Sequence, residues 1–499
     1  MESNLKHKTV IGLFWKLFER GGSAAVALVV QIVMARLLAP DDFGALAVML
    51  VFVNVGNVIV RSGLNTALVQ SPDTDDTDFT TVFWMSLAIS VVLYAIISAT
   101  APAIAEFYGS EHLSWPLRIL SAILIINAYN SVQVAYIERF MEFRKTFVAA
   151  MTSIAVSGVL GIGAALNGAG LWALVIQQVS YQITNCIALS AQVPWKPSFA
   201  FSRDRAKKLF GFGWKLLASG LLDTGYNSIS DLIIGKQFST IQLGFVSQGK
   251  KYPGAIGQML DGAIQPIMLS AVARIQDDIP YVKRLVRRAL KTSTYLVMFC
   301  MTLFALVAEP TVRLLLGEQW VPCVWFLQVY CFVYALFPIH TTNLQALKGM
   351  GRSDVFLKLE IIKKCYGLSL ILFGAFVLND VYWMVGLSML SSVISTFVNA
   401  FPNKRVIGYS YLEQLLDIGP GVILSLVSAA IAWPISMAGL PDLITIVFQT
   451  TIMLAAYVGL SKLFHVEAFD YLITTVQEIA IRNEADESSG AKAFDNRNS

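Results

Sequence analysis

Apolar residues in this chain come in long runs, each close to the length of a bilayer crossing and each closed by a short polar stretch. Fourteen runs are counted, at 11–35, 43–69, 79–105, 113–137, 147–166, 170–192, 209–235, 243–267, 289–308, 322–347, 354–378, 381–400, 418–438 and 442–464. A membrane helix takes about 20 apolar residues. The joins between runs, such as "APDDFG", "SPDTDDTD", "NGAG" and "LPD", are rich in the residues that end helices and make turns. The pattern predicts an all-α integral membrane protein of about fourteen transmembrane helices.

Polar positions interrupt some of these runs, and they do so at helical spacing. The first run carries Lys16 and Arg20, four apart and so on one face. The second carries Asn57, Arg61 and Asn65. The seventh carries Lys215, Ser219, Asp223, Asn227 and Asp231 as a continuous stripe. The eighth carries Lys250, Lys251 and Asp261, and the eleventh Glu360, Lys363 and Lys364. A charge at mid-bilayer costs roughly 2.5–3.5 kcal/mol on insertion scales, so such groups usually face a bundle interior or a watery cavity. A cleft between two halves of the bundle is where these stripes are expected to meet. Each group also has a plainer reading. Lys16, Arg20 and Lys215 sit near a helix end and can snorkel to the interface. Arg61, Lys363 and Lys364 can lie closer to the interface than this placement puts them. Asp231 and Lys250 fall at equal depth on consecutive helices, which fits a structural ion pair, and such a pair leaves Lys251 unaccounted for. Pro253 and Gly254 follow directly and predict a helix break or hinge, since proline removes a backbone hydrogen bond.

Composition supports the membrane reading. Of 499 residues, 56% are hydrophobic and 14% charged, against about 25% charged in soluble domains. The net charge of +4 is small, and no basic, aromatic-interleaved surface points to nucleic acid. With the N-terminus in the cytoplasm, inner ends and loops hold 21 lysines and arginines and outer ones four (Arg36, Arg118, Lys236 and Arg313). That is the positive-inside asymmetry, and both termini are then cytoplasmic. The basic N-terminus lacks a small-residue cleavage site and reads as the entry to the first helix rather than a removed signal peptide. The polar tail after about residue 482 reads as disordered. Five cysteines form no CxxC pair, and burial in membrane packing is expected of them.

The chain also repeats itself. "FWKL" at Phe14 opens the first helix and "GWKL" at Gly213 the seventh. From Trp15 to Gly44 is 29 residues, and from Trp214 to Gly244 is 30. The offset spans six helices, an even number, so both copies enter from the same side. The expected organisation is a cytoplasmic N-tail (1–10), an N-lobe of six helices (11–192), a cytoplasmic linker (193–208), a parallel C-lobe of six helices (209–400), an added helix pair (401–465) and a cytoplasmic C-tail (466–499). Parallel repeats about an axis along the membrane normal are a transporter architecture.

Little else points to chemistry. "DTDD" at Asp73 contains an Asp-x-Asp, but it precedes an apolar run where Thr77 or Asp78 can cap the third helix. His340 is the one histidine within a run and reads as a hydrogen-bonded packing group. "ERFMEFRKTF" at Glu138 reads as an interfacial segment between the fourth and fifth helices. No triad, phosphate loop or metal-ligand cluster is present, and neither an enzyme activity, a metal nor a cofactor is expected. Among the membrane charges, eight bases stand against four carboxylates (Asp223, Asp231, Asp261 and Glu360). That balance suits a phosphate or pyrophosphate head group better than a cationic cargo.

Several stretches together resemble one family: "ARLLAPDDFGALAV", "ERFMEFRKT", "LGFVSQGKKYPGAIGQMLDGAIQPIMLSAVARIQDD", "LLLGEQWVPCVWFLQVYC" and "LQALKGMGRSDVFLKLE". They are similar to the polysaccharide-exporter branch (Wzx-like, colanic-acid and succinoglycan type) of the multidrug/oligosaccharidyl-lipid/polysaccharide flippase superfamily, over about residues 10–465. The resemblance implies a two-lobed bundle in a bacterial inner membrane that flips an undecaprenyl-pyrophosphate-linked oligosaccharide outward by alternating access. It implies membrane lipids, a polysaccharide polymerase and export machinery as partners, and H+ or Na+ as the coupling ion where there is one. It supplies no fixed set of site residues. Where the branch commonly has an arginine near Lys250 or Lys251, this chain has the lysine pair, which keeps the charge and loses the fork geometry. The alternatives are a multidrug-extrusion relative of the same fold, marked by carboxylates in the cleft, and a membrane polymerase or glycosyltransferase, marked by a large external loop or a soluble domain. The longest outer loop here is about 13 residues.

Overall fold

In the computed structural model, residues 22–23, 26–61, 63–70, 74–474 and 477 are described. Each of the fourteen apolar runs, as far as it is described, is a helix or a pair of helices in line. They are α1 (Val26–Leu37), α2 (Pro40–Arg61, then Leu64–Gln70), α3 (Asp76–Phe107), α4 (Ser114–Ser121, then Ile123–Phe140), α5 (Phe143–Leu166), α6 (Leu171–Gln192) and α7 (Arg203–Gln237). After these come α8 (Thr240–Arg274), α9 (Ile279–Leu306), α10 (Cys323–Ala335, then Phe337–Gly349), α11 (Ser353–Leu372), α12 (Val381–Ala400), α13 (Tyr411–Ala432) and α14 (Asp442–Leu463). No strand occurs among the described residues.

Nine spans among the described residues are long and apolar enough to cross a membrane. α7 and α8 are not among them, although each has 35 residues, about 50 Å at 1.5 Å per residue. They are long enough to cross and too polar to do so facing lipid all round.

Helix ends follow local chemistry. Asp75 is the N-cap of α3 and forms a capping box with Asp78. This corrects the expected cap at Thr77 or Asp78: Thr77 and Asp78 donate their backbone N–H groups to Asp75. Ser410 and Glu413 form the same device on α13. Asp278 and Asp380 cap α9 and α12. "ERFMEFRKTF" spans the end of α4 and the start of α5. α4 runs to Phe140, Met141 takes a left-handed conformation (φ 59°) and α5 starts at Phe143.

Contacts divide the chain into two compact units. The first comprises Met1–Ser247 with Leu315–Trp320, and the second Gln248–Leu314 with Val321–Ser499. In the first, an aromatic cluster fastens the extended linker to α3 and α4: Trp195 lies 6.2 Å from Phe79, 6.3 Å from Phe83 and 6.1 Å from Tyr129 between ring centroids. Trp84 Nε1 donates to the Ser198 carbonyl at 2.9 Å. Arg205 pairs with Asp75 and, at 3.0 Å, with Asp78. Its guanidinium holds the Asp75 carboxyl below the usual carboxylate range. The loop at 315–320 returns to α1, where Trp320 Nε1 donates to the Ala35 carbonyl at 2.7 Å.

In the second unit, α9 and α14 meet through Tyr295, Phe299 and Tyr457, with centroids 4.7 and 4.6 Å apart. Tyr457 donates to the Tyr295 carbonyl at 2.9 Å. The cysteines divide: Cys323 and Cys331 are buried as expected, whereas Cys300 and Cys365 are exposed and Cys186 is half-buried.

Candidate functional site

The stripe on α7 is present as a continuous accessible face. Lys215, Ser219, Asp223 and Asn227 are exposed and Asp231 is half-buried. Asn227 Nδ2 donates to Asp223 Oδ2 at 3.3 Å, a contact that four-residue spacing makes available.

The stripe on α2 turns the other way. Asn57 accepts from Asn127 Nδ2 at 2.7 Å, and Asn65 donates to the Ser131 carbonyl at 3.0 Å, so both join α2 to α4. Arg61 lies between them on that face, within electrostatic reach of Glu138 on α4 and Tyr181 on α6. Its Nε is buried with no hydrogen-bond partner. Arg61 therefore looks into the interior of the first helices. Lys16 and Arg20 fall outside the described residues.

In the second unit the two lysines of α8 differ. Lys250 is half-buried, with Nζ 6.0 Å from the Tyr330 ring centroid and within electrostatic reach of Tyr334. Lys251 is solvent-accessible, and among the described residues it makes no hydrogen bond or ion pair. Neither Asp231 nor Lys250 is free of interactions.

The expected break at Pro253-Gly254 is absent: α8 is one helix from Thr240 to Arg274. Its glycines serve packing instead. A Cβ at Gly249 would lie 2.7 Å from Phe326 Cβ, one at Gly254 3.0 Å from Tyr334 Oη, and one at Gly257 2.7 Å from Tyr334 Cδ1. They form a small-residue face against which α10 seats its aromatics.

On α11, Lys363 pairs with Glu360 at 2.6 Å and is within electrostatic reach of His340. His340 accepts or donates at both ring nitrogens, to Asn399 at 3.1 Å and Ser392 at 3.4 Å, as a packing histidine would. Lys364 is half-buried and engaged. α10 is thus the common neighbour, meeting Lys250 through Tyr330 and Tyr334 and Lys363 through His340. The tyrosine pair went unread in the sequence, where its four-residue spacing was the available signal.

A second feature missed in the sequence is a pair of backbone contacts. The first turns of α2 and of α8 are the two copies of the repeat, and they touch. A Cβ on Gly44 would lie 1.7 Å from the Thr240 carbonyl oxygen, and one on Gly244 would lie 2.1 Å from the Pro40 carbonyl oxygen. Thr240 Oγ1 also donates to Asp41. Nearer the other end of α2, Gly63 (φ +85°) meets Gly213 of α7, its Cβ position 2.1 Å from the Gly213 carbonyl oxygen. Only glycine permits such approaches.

These helices, with their polar faces on two long members, define a multi-pass membrane protein with a flippase-superfamily fold. Two solved structures share it. The lipid II flippase MurJ in its inward closed conformation matches with a TM-score of 0.70 over 91% of this chain and 99% of that one, at 13% identity. A multidrug resistance MATE family transporter, inward-facing, matches at 0.57 over 81% and 94%, at 14% identity. The chain belongs to the polysaccharide biosynthesis protein family, whose model matches residues 33–325. The succinoglycan biosynthesis transport protein ExoT of Rhizobium meliloti (strain 1021) is 24% identical over 423 residues, 84% of this chain and 83% of that protein. The lipopolysaccharide biosynthesis protein WzxC of Escherichia coli (strain K12) is 20% identical over 442 residues, 87% of this chain and 89% of its own length. The resemblance to the polysaccharide-exporter branch is borne out.

Proposed function

We propose that this protein is a flippase, without covalent chemistry, that moves a polyprenyl-pyrophosphate-linked oligosaccharide repeat unit across the bacterial cytoplasmic membrane for exopolysaccharide biosynthesis. The observation that carries the reading is the pair α7 and α8, whose length spans a membrane and whose accessible polar faces require water beside them. In this reading the pyrophosphate docks on lysine, with Lys251 the foremost candidate and Lys250, Lys215, Lys363 and Lys364 in support. Lys16 and Arg20, outside the described residues, are further candidates by their sequence spacing alone. The sugars occupy the wet cleft, and the polyprenyl tail stays in lipid. Asp223, Asn227 and Asp231 on α7 serve the sugar hydroxyls. Arg61, turned inward, acts on the field of the first lobe.

Transport proceeds by rocking of the N-lobe (11–192) and C-lobe (209–400) about the linker, with both termini cytoplasmic. The contacts at Gly44/Gly244 and Gly63/Gly213 are the closures that must part in turn. Pro253 and Gly254 are places where α8 can flex during that motion. Coupling to H+ or Na+ and contact with a polymerase belong to the same reading. The fold match to a multidrug transporter supports a second reading, export of small organic cations, in which Asp223 and Asp231 are the binding carboxylates.

Deletion of the gene followed by extraction of lipid-linked intermediates tests the proposal. A complete repeat unit accumulating on the inner leaflet is expected. An incomplete unit indicates a transferase, and normal export with altered sensitivity to cationic drugs indicates the second reading.

A further inference from the structure

Away from these residues, the first turns of α9 line a basic cavity of about 470 Å³ together with the helical segment that follows α14. Four cations reach it: Arg284, Arg287, Arg288 and Lys291. Two are committed. Arg287 makes two bonds of 2.7 Å to the Asp417 carboxylate. Lys291 pairs with Asp417 at 3.1 Å and with Glu467. Arg284 and Arg288 have no carboxylate partner among the described residues. They sit four residues apart on one helix face, held over aromatic rings, Arg288 at 4.3 Å from the Tyr471 centroid and Arg284 at 5.5 Å from that of Tyr281. Among the described residues, four cations against two carboxylates leave two positive charges at the cavity.

The space beside it has the opposite character. A cavity of about 650 Å³ adjoins it, sharing Lys291, Glu467 and Ala468, and runs between α13 and α14 over Ile423, Leu424, Val427 and Leu460. A cationic mouth continuous with an apolar groove, on the side that the sequence leads one to expect at the cytoplasm, matches one ligand chemistry. We infer that this is a binding site for an anionic diacyl phospholipid of that leaflet. Its phosphate bridges Arg284 and Arg288, and an acyl chain lies in the α13/α14 groove. Guanidinium is the favoured partner for phosphate, as a fork of donors. Basic residues near an anionic bilayer surface attract its head groups. The lipid would fasten the segment carrying Glu467 and Tyr471 to α9, a role separate from transport of cargo.

Native mass spectrometry of the purified full-length protein tests the site, titrating dioleoylphosphatidylglycerol against dioleoylphosphatidylethanolamine. The expected result is at least about tenfold tighter binding of the anionic lipid, abolished in R284Q/R288Q. The control K207Q/K208Q, which removes the same charge elsewhere, should keep that preference. Ile423→Trp, which fills the groove without changing charge, should also weaken phosphatidylglycerol several-fold. The inference is overturned if R284Q/R288Q keeps the preference, or if K207Q/K208Q loses it equally. Displacement by millimolar inorganic phosphate would reduce the site to an anion site, and displacement by equimolar undecaprenyl phosphate would assign it to the cargo. Either result overturns the phospholipid assignment.

Discussion

Lys250 and Lys251 are adjacent and unlike. The rotation of about 100° between neighbouring residues of a helix sends Lys250 toward the α10 tyrosines and leaves Lys251 accessible. If a head group docks here, K251Q should lower export more than K250Q, and K250Q/K251Q should lower it at least tenfold at normal protein level. Unchanged export in the double variant removes both lysines from the site. Gly44 and Gly244 support a sharper expectation, because the obstruction is backbone and cannot swing aside. Gly44→Ala and Gly244→Ala should each push the two turns apart and cut export severely, whereas Thr240→Val, which loses a hydrogen bond worth about 1 kcal/mol, should be milder. Single-residue chemistry was partly legible in the sequence. Spacing located the α7 stripe, but it could not tell that Asn57 and Asn65 turn toward α4. A polar face looks the same in sequence whether it meets water or another helix.

At the scale of elements, the sequence located the helices among the described residues because hydrophobic length is a strong signal. Interruptions were harder to read. Proline at 253 does not end α8, since neighbouring helices can hold a helix through the loss of one backbone bond. The adjacent glycines matter for α10, and Gly257→Leu should destabilise the folded protein by about 1–3 kcal/mol through overpacking, seen as a lower detergent melting temperature. The linker offers a pH test. The Asp75 carboxyl is held below its ordinary value of about 3.9 by the Arg205 guanidinium. The pair's contribution is therefore complete above that ordinary value and lost only as pH falls through the lower folded one. Asp75→Asn, which keeps the capping acceptor, should lower the melting temperature by the same small amount at pH 5 and pH 8, and by less in high salt, because the pair is exposed. A larger effect at pH 8 than at pH 5 would mean that another group titrates with it.

For the whole molecule, the repeat read from Gly44 and Gly244 became a physical contact, and this changes what the repeat is for. Two copies of one turn, about 200 residues apart, meet so closely that neither tolerates a Cβ, and a hydroxyl from one copy binds a carboxylate from the other. Sequence spacing could reveal the duplication. It could not reveal that the copies touch, because contact depends on how the five intervening helices return the chain. If the cargo leaves on this face, the turns must separate in every cycle. Asp41 and Thr240 are side by side, so D41C/T240C in a background with Cys300 and Cys365 replaced by serine should form a disulfide on mild oxidation. Export should then stop and resume on adding reductant, with the unoxidised protein active throughout. A cross-linked protein that exports at the normal rate would falsify separation of these turns, and the cargo would have to pass elsewhere through the bundle.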